Sequence, residues 1–128
     1  MISRQKALHV ADIARTKKAE DIVILDMRKL SNITDFFVLL SAGSTRRAQA
    51  ITDNIQKGLL EVKEPISNIE GYQEARWILI DGYDVVVHIF HNDLRRFYNL
   101  EGLWSDAPRV RLCRAKRKKR LKKISKRK

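Results

Sequence analysis

Cysteine, proline and glycine are all scarce in this sequence, which has one, two and five of them among its 128 residues. A single cysteine, Cys113, can form neither an internal disulfide nor a multi-cysteine metal site, and this favours a reducing compartment such as the cytoplasm. No run of 18 or more apolar residues is present, so we expect no membrane-spanning segment. The length predicts one domain with a core large enough to fold without cross-links.

Acidic residues are absent from the end of the chain. Residues 109–128 contain thirteen lysines and arginines, whereas residues 1–108 contain fourteen basic and fifteen acidic residues, so the net charge of +12 lies in the tail. Such a segment has too few apolar residues to offset the entropy of ordering, and we expect it to be disordered when free. The sequence therefore predicts a folded domain over 1–107 and a basic tail over 108–128.

The basic tail is suited to binding phosphate, although a basic run can also serve only solubility. It contains no aromatic residues that could stack on bases, so we expect it to bind an RNA backbone without reading sequence. The residues predicted to make these contacts are Arg114, Lys116, Arg117, Lys118, Lys119, Arg120, Lys122 and Lys123.

Apolar periodicity divides the first 108 residues into helices and strands. The predicted order is a helix over 4–19, strands over 21–27 and 36–42, a helix from Ser44 to Val62, strands over 77–80 and 85–90, and a helix from Asn92 to before Gly102. Ser44 is predicted to cap its helix, and Gly82 is predicted to supply a positive φ in the hairpin turn. This order predicts a compact α/β domain.

Alternation along the hairpin strands predicts two different faces. In the first strand Trp77, Leu79 and Asp81 oppose Ile78 and Ile80. In the second strand Val86, His88 and Phe90 oppose Val85, Val87 and Ile89. We expect helices to cover one face of the sheet and to leave the other open.

Three catalytic interpretations are weak. His88, His91 and Asp93 lie close in sequence, but a metal site needs three or four converging ligands, and these side chains need not converge. No G-x-S-x-G motif surrounds a serine nucleophile. A nucleotidyltransferase needs paired carboxylates on one strand to hold magnesium ions, and Asp81 and Asp84 are separated by the turn. We therefore predict no metal, no cofactor and no enzymatic activity.

The run HIFHNDLRRFYNLEGLW, residues 88–104, is richer in the residues typical of binding hot spots. The large amphipathic side chains of this region are Trp77, Tyr83, His88, Phe90, Tyr98 and Trp104. One small sheet and one helix cannot hide all of them, so some are predicted to contact a partner. The alternative is that Trp77, Phe97 and Trp104 are core residues, and for Phe97 this alternative is favoured.

Several blocks of the domain resemble the ribosomal silencing factor family, RsfS, also called Iojap. The blocks are, in order, AEDIVILDM, TDFF, STR, GYDVVVHIF and RRFYNLEGLWSDAP. The resemblance runs from about residue 7 to 107, nearly the whole predicted domain. The family pattern usually stops soon after the last block, so the resemblance does not explain the tail.

The resemblance implies a nucleotidyltransferase-like α/β domain without catalysis, with a mixed sheet of four to five strands packed with helices. It implies a bacterial cytoplasmic protein that binds the large ribosomal subunit through ribosomal protein L fourteen. The small subunit is then sterically blocked from joining, and translation is repressed when nutrients are limited. A homodimer is compatible with the free protein.

Placed on this sequence, the partner surface is predicted to lie on the hairpin and the final segment. The predicted contacts are Trp77, Asp81, Tyr83, His88, Phe90, Tyr98, Glu101 and Trp104. Two other hypotheses compete with a ribosome-binding inhibitor. A general RNA-binding or ribosome-biogenesis protein would act through the tail, and a nucleotidyltransferase would turn over nucleotide with magnesium.

Overall fold

The structure of the chain, a computed structural model, describes residues 1–97 and 106–112, without the side chains of residues 95–97. Its elements are α1 (Ser3–Thr16), β1 (Glu20–Asp26), β2 (Phe36–Ala42), α2 (Thr45–Glu61), β3 (Asn68–Glu70), β4 (Trp77–Asp81), β5 (Val85–His91), α3 (Asn92–Phe97) and β6 (Arg109–Val110). Each helix and strand predicted from the sequence is present. No described helix is long and apolar enough to cross a bilayer.

The strands form one mixed sheet in the order β3-β4-β5-β2-β1-β6. The central pair, β2 and β5, is parallel, and the other neighbours are antiparallel. The sheet has six strands, so the prediction of four to five was wrong. The two strands that apolar periodicity missed, β3 and β6, contain three and two residues and lie at the edges, where backbone pairing leaves little pattern in the side chains.

Strand β6 extends the sheet past the domain boundary predicted at residue 107. Val110 lies opposite Ile24, and Arg109 lies opposite Leu25 of β1. The amide of Asp26 also donates to the Pro108 carbonyl at 2.7 Å. Val110 is buried in the core, so residues 108–110 belong to the sheet although their composition resembles that of the tail.

Both long helices pack on the same face of the sheet. The main core joins buried residues of α1 and α2 to the inward residues of five strands, among them Ile24, Val38 and Ile89. The buried apolar residues of α1 are small: Ala7, Val10, Ala11 and Ala14. Small side chains let α1 approach α2 closely, and a Cβ at Gly58 of α2 would lie only 2.3 Å from Cδ1 of Ile13.

Helix α2 begins as predicted. The Ser44 hydroxyl oxygen accepts a hydrogen bond from the Arg47 amide at 3.1 Å and thereby satisfies one of the unpaired donors of the first turn. Five apolar residues recur at spacings of three and four along this stretch of the sequence, and four of them are buried: Ala48, Ile51, Ile55 and Leu59. The fifth, Val62, is the residue that follows the helix.

The hairpin turn differs from the prediction at one position. Positive φ, 72°, occurs at Tyr83 and not at Gly82. The Asp81 carboxylate accepts a hydrogen bond from the Tyr83 amide at 3.0 Å and holds this residue in place. Gly82 is constrained by space instead, because a Cβ there would lie 3.0 Å from the Val85 carbonyl oxygen.

Candidate docking face

The sheet face opposite α1 and α2 carries a second, smaller set of apolar residues. Residues paired across neighbouring strands point to the same face. Two rows of pairs define this face: Leu25, Phe37, Val86 and Asp81 in one, and Val23, Leu39, His88 and Leu79 in the other. Trp77 and Phe90 form a further pair. We call this surface the docking face.

The central residues of the docking face are buried, whereas its outer residues are partly exposed to solvent. A second cluster buries Leu25, Met27, Leu39, Phe90 and Ala107. By contrast, five apolar residues of the same face are only half-buried: Val23, Phe37, Trp77, Leu79 and Val86. The face therefore keeps accessible apolar surface that neither long helix covers, as the alternation of the hairpin strands predicted.

His88 belongs to the covered part. Its side chain is 5% exposed, and burial lowers the pKa of His88 to about 4, so the ring is neutral at pH 7. Nδ1 accepts a hydrogen bond from Nε1 of Trp77 at 3.2 Å, and the proton of the neutral ring is therefore assigned to Nε2. The ring also packs edge-on against Phe37, with centroids 4.8 Å apart.

Phe90 is completely buried and packs beneath Trp77, with ring centroids 5.1 Å apart. His88 and Phe90 thus present almost no surface in the free domain, and a contact with a partner stays a prediction for both. Both point to the predicted face, but they form the layer that supports Trp77. Residue type and strand alternation indicate which face a side chain occupies, but they do not show how deeply it is buried.

Three of the predicted contacts are accessible. Trp77 and Asp81 are half-buried, and Tyr83 is 57% exposed at the tip of the hairpin. Trp77 begins β4, whereas Asp81 ends it, so the three residues follow one strand and its turn.

The hairpin is fastened to α1 by a buried cation that the sequence analysis missed. Nζ of Lys6 is within 2.6 Å of the Gly82 carbonyl oxygen, 2.8 Å of an Asp84 carboxylate oxygen and 3.3 Å of a Glu64 carboxylate oxygen. Lys6 is only 2% exposed. One signal was present: Lys6 lies one helical turn before Val10, on the buried side of α1.

The family model described as "Ribosomal silencing factor during starvation" matches residues 2–128. The chain belongs to this family. It is 46% identical over 112 residues to the ribosomal silencing factor of Halalkalibacterium halodurans, which covers 87% of this chain and 96% of that protein. It is 47% identical over 92 residues to the ribosomal silencing factor of Bacillus subtilis, which covers 72% of this chain and 78% of that protein.

Solved structures agree with the fold of this ribosomal silencing factor family member. A crystal structure from Bacillus halodurans is 43% identical, covers 85% of this chain and 96% of that chain, and has a TM-score of 0.73. A second, from Chromobacterium violaceum, is 28% identical, covers 82% of this chain and 88% of that chain, and has a TM-score of 0.80.

The remaining predicted site residues of this family member fall outside the described part of the chain. They are Tyr98, Glu101 and Trp104 of the final segment, together with the eight tail residues from Arg114 to Lys123 predicted to bind RNA. Their roles stay predictions, as does the nucleotidyltransferase-like character of the fold.

The side chains of His88 and His91 do not converge in the described part of the chain. By the register, His88 lies opposite Leu39 on the docking face, whereas His91 is three residues further along β5 and has the opposite orientation. Within residues 1–97 and 106–112, no group of three or more histidine, cysteine, aspartate or glutamate residues is placed to hold a metal ion. The predicted absence of a metal and of catalysis in the whole chain stays a prediction.

Proposed function

We propose that this family member silences translation by binding the large ribosomal subunit and blocking the small subunit from joining it. The family description, silencing of the ribosome during starvation, supports the general role. Such an inhibitor needs affinity and bulk, because two bodies cannot occupy the same volume. It needs no chemical step, so no catalytic residue is required.

The docking face is the surface that we propose for the contact with the large subunit. The observation that carries this proposal is the half-buried apolar surface of Trp77, Leu79 and Val86 beside the exposed ring of Tyr83. Aromatic residues that are partly covered and held rigidly are typical anchors of protein interfaces. A standard protein interface buries about 800 Å² on each partner, so the contact would extend from the hairpin onto the neighbouring strands.

Ribosomal protein L fourteen is the proposed partner within the subunit. Ribosomal proteins are commonly basic because they contact RNA, and the hairpin turn carries the carboxylate of Asp81, whereas that of Asp84 is paired with Lys6. Residues 1–108 carry one more acid than base, so the domain would not be drawn indiscriminately to RNA. Complementary charge at the rim would steer encounter and orientation, while the apolar residues would hold the complex together.

A sedimentation experiment tests the docking face. The full chain is mixed with purified large subunits, pelleted, and then challenged with small subunits while the joined particles are quantified. Val86→Lys places a charge on the docking face and should weaken co-sedimentation at least tenfold and restore joining. Leu60→Lys is the matched control, because Leu60 is 74% exposed on α2, on the other side of the sheet. Equal binding by the two variants would overturn the proposed surface.

The identity of the partner needs a separate measurement. Tyr83 can be replaced by a photo-crosslinking phenylalanine analogue, because its ring is exposed and lies at the edge of the docking face. Crosslinking on the large subunit should yield an adduct with ribosomal protein L fourteen, identified by mass spectrometry. Adducts only with other proteins or with RNA would refute this assignment.

The basic tail is proposed as a second, electrostatic contact with ribosomal RNA. Linking two contacts raises the effective concentration of each, so overall affinity can exceed that of either alone. Replacing the eight predicted tail cations from Arg114 to Lys123 by glutamine should weaken subunit binding and flatten its dependence on salt. Unchanged affinity and salt dependence would remove the tail from the mechanism.

Assembly of the large subunit is a second candidate function. A mouse relative, 29% identical over 99 residues and covering 75% of this chain and 43% of that protein, is named "Mitochondrial assembly of ribosomal large subunit protein 1". Depletion of the protein in growing cells distinguishes the two functions. Accumulation of immature large subunits would favour assembly, whereas normal subunits and excess joined ribosomes in starved cells would favour silencing.

A further inference from the structure

Four cations line one open cleft on the folded domain, on the helix-covered side of the sheet. Lys17 and Lys18 follow the end of α1, and Arg46 and Arg47 lie in the first turn of α2. The remaining lining residues are Thr16, Ser44 and Ala50, and the cleft has a volume of about 390 Å³. We call this site the basic cleft.

The cations of the basic cleft have no acidic partners within the described part of the chain. Elsewhere the structure pairs cations with acids, as in Lys6 with Glu64 and Asp84, and Arg28 with Asp26. No such pair involves Lys17, Lys18, Arg46 or Arg47 among the ion pairs of residues 1–97 and 106–112. These four positive charges therefore form a local excess within residues 1–108, which carry fourteen basic and fifteen acidic residues in total.

The polar lining of the cleft is compatible with an anion. The Ser44 hydroxyl oxygen accepts from the Arg47 amide, so its own proton can be donated to a ligand. Arginine presents several N–H donors in a planar fork, and lysine adds a mobile point charge. Together these groups suit phosphate oxygens.

The cleft is unsuited to holding a base. No aromatic residue is among its seven lining residues, so it has no surface on which a base could stack. A free nucleotide would lose that contact, whereas a nucleic-acid backbone presents successive phosphates and needs none. The composition of the cleft therefore favours the backbone of RNA over a nucleotide.

The direction of residues 109–112 supports the same ligand. Strand β6 runs antiparallel to β1, with Val110 opposite Ile24, so the chain leaves β6 toward the start of β1. Leu112 indeed lines a groove with Ile22. The start of β1 is only two residues after Lys18. Residues 109–112 thus run toward the end of the sheet that carries the basic cleft.

We propose that the basic cleft binds the phosphate backbone of RNA, as a contact on the folded domain that continues the positive surface of the tail. The inference extends the proposed contact of the tail with ribosomal RNA and does not depend on ribosomal protein L fourteen. The docking face and the basic cleft lie on opposite sides of the sheet, so one molecule could bind protein with one and RNA with the other.

The test is a titration of the full chain with a short RNA duplex of mixed sequence at several concentrations of KCl. The cleft variant replaces Lys17, Lys18, Arg46 and Arg47 by glutamine. The control variant replaces Arg4, Lys29, Lys57 and Lys63 by glutamine, and these residues are also exposed and unpaired within the described residues. Both variants lose the same charge, so only the position differs.

The cleft variant should bind the duplex at least tenfold more weakly at about 0.1 M salt. The magnitude of its log-log salt slope should fall by about 3.6, since each of four phosphate contacts contributes roughly 0.9. The control should change by less than threefold. An equal loss in both variants would mean that only net charge matters and would overturn the inference. An unchanged duplex titration combined with weaker binding to large subunits would assign the cleft to a protein partner and would also overturn it.

The same variants separate this inference from the proposed docking face. Val86→Lys should reduce co-sedimentation with large subunits and leave the duplex titration within twofold of the unmodified chain. The cleft variant should show the loss in the duplex titration. If Val86→Lys has no effect on subunits while the cleft variant loses RNA binding, the docking face is refuted and the basic cleft stands.

Discussion

The indole Nε1 of Trp77 donates a hydrogen bond to Nδ1 of His88, which lies beside it on the adjacent strand, 3.2 Å away. Trp77 is half-buried on the docking face, whereas His88 lies beneath the surface. The pair thus fixes the orientation of an exposed aromatic ring through a buried polar contact. The bond requires an unprotonated Nδ1, so the support of Trp77 depends on the charge of His88.

The stability of the domain should therefore depend on pH through His88. Its pKa is about 4 in the folded state and about 6.5 when unfolded, so between these values the unfolded chain binds more protons. The contribution of neutral His88 to the free energy of unfolding is fully present above about pH 6.5. It is lost as pH falls toward 4, and the total loss is on the order of 3 kcal/mol. Urea unfolding at a series of pH values measures this loss.

The variant His88→Gln isolates the contribution of that residue. Glutamine cannot titrate in this range, and its carbonyl oxygen can still accept from Trp77. The difference in unfolding free energy between pH 5 and pH 7.5 should shrink by at least half in this variant. His91→Gln is the control and should keep the difference. If both variants retained it, the pH dependence would have another origin.

Removing the donor of the same hydrogen bond should also destabilise the domain. Trp77→Phe leaves the buried Nδ1 of His88 without its partner, which costs about 1–3 kcal/mol, in addition to the loss of packing. A double-mutant cycle with His88→Phe separates the two effects. The hydrogen bond is confirmed if the double variant is less destabilised than the sum of the single variants by about 1 kcal/mol. Additive losses would show that packing alone matters.

Local signals in the sequence were sufficient to predict every helix and strand except β3 and β6. The β-branched runs at 21–27 and 36–42, the Ser44 cap and the apolar stripe of α2 correspond closely to the observed β1, β2 and α2. These features depend on neighbours within a few residues. The edge strand β6 depends on pairing with residues about 85 positions away, which periodicity does not report.

The same distinction applies to the docking face. Alternation correctly separated Trp77, His88 and Phe90 from the helix-covered side, because that property is local to a strand. Their burial depends on what packs over them, so the low exposure of His88 and Phe90 could not be predicted from the alternation. The placement of Lys6 beside Asp84 joins residues 78 positions apart and could not be anticipated from local patterns.

Lys6 should be a structural support of the hairpin. Lys6→Met keeps most of the aliphatic volume and removes the cation from Glu64, Asp84 and the Gly82 carbonyl. We expect a loss of about 1–3 kcal/mol, below the value for a fully buried pair because both carboxylates are partly exposed. The control, Arg15→Met, breaks the exposed pair with Asp12 and should cost less than about 0.5 kcal/mol.

Urea unfolding of both variants measures these losses. Amide hydrogen exchange shows where Lys6→Met loosens the structure. If Lys6 fastens the turn to α1, exchange should become faster mainly in residues 81–84. Similar small losses in the two variants, with no change in exchange at the turn, would show that the buried ion pairs contribute little.

The close approach of α1 and α2 predicts that alanine destabilises the domain at Gly58 but has little effect at Gly43. Gly58→Ala adds a Cβ that would lie 2.3 Å from Cδ1 of Ile13, so the overlap should outweigh the gain of about 1 kcal/mol in helix propensity and destabilise the domain by about 1–3 kcal/mol. Gly43→Ala meets nothing within 4 Å and should change stability by less than about 0.5 kcal/mol. Thermal and urea unfolding compare the two variants.

The cause is tested by adding Ile13→Val, which removes the colliding methyl group. The combination should recover most of the loss in stability, because alanine then contributes its helix propensity without the overlap. If Ile13→Val instead added its own cost to that of Gly58→Ala, contact with that methyl group would not be what requires glycine at this crossing.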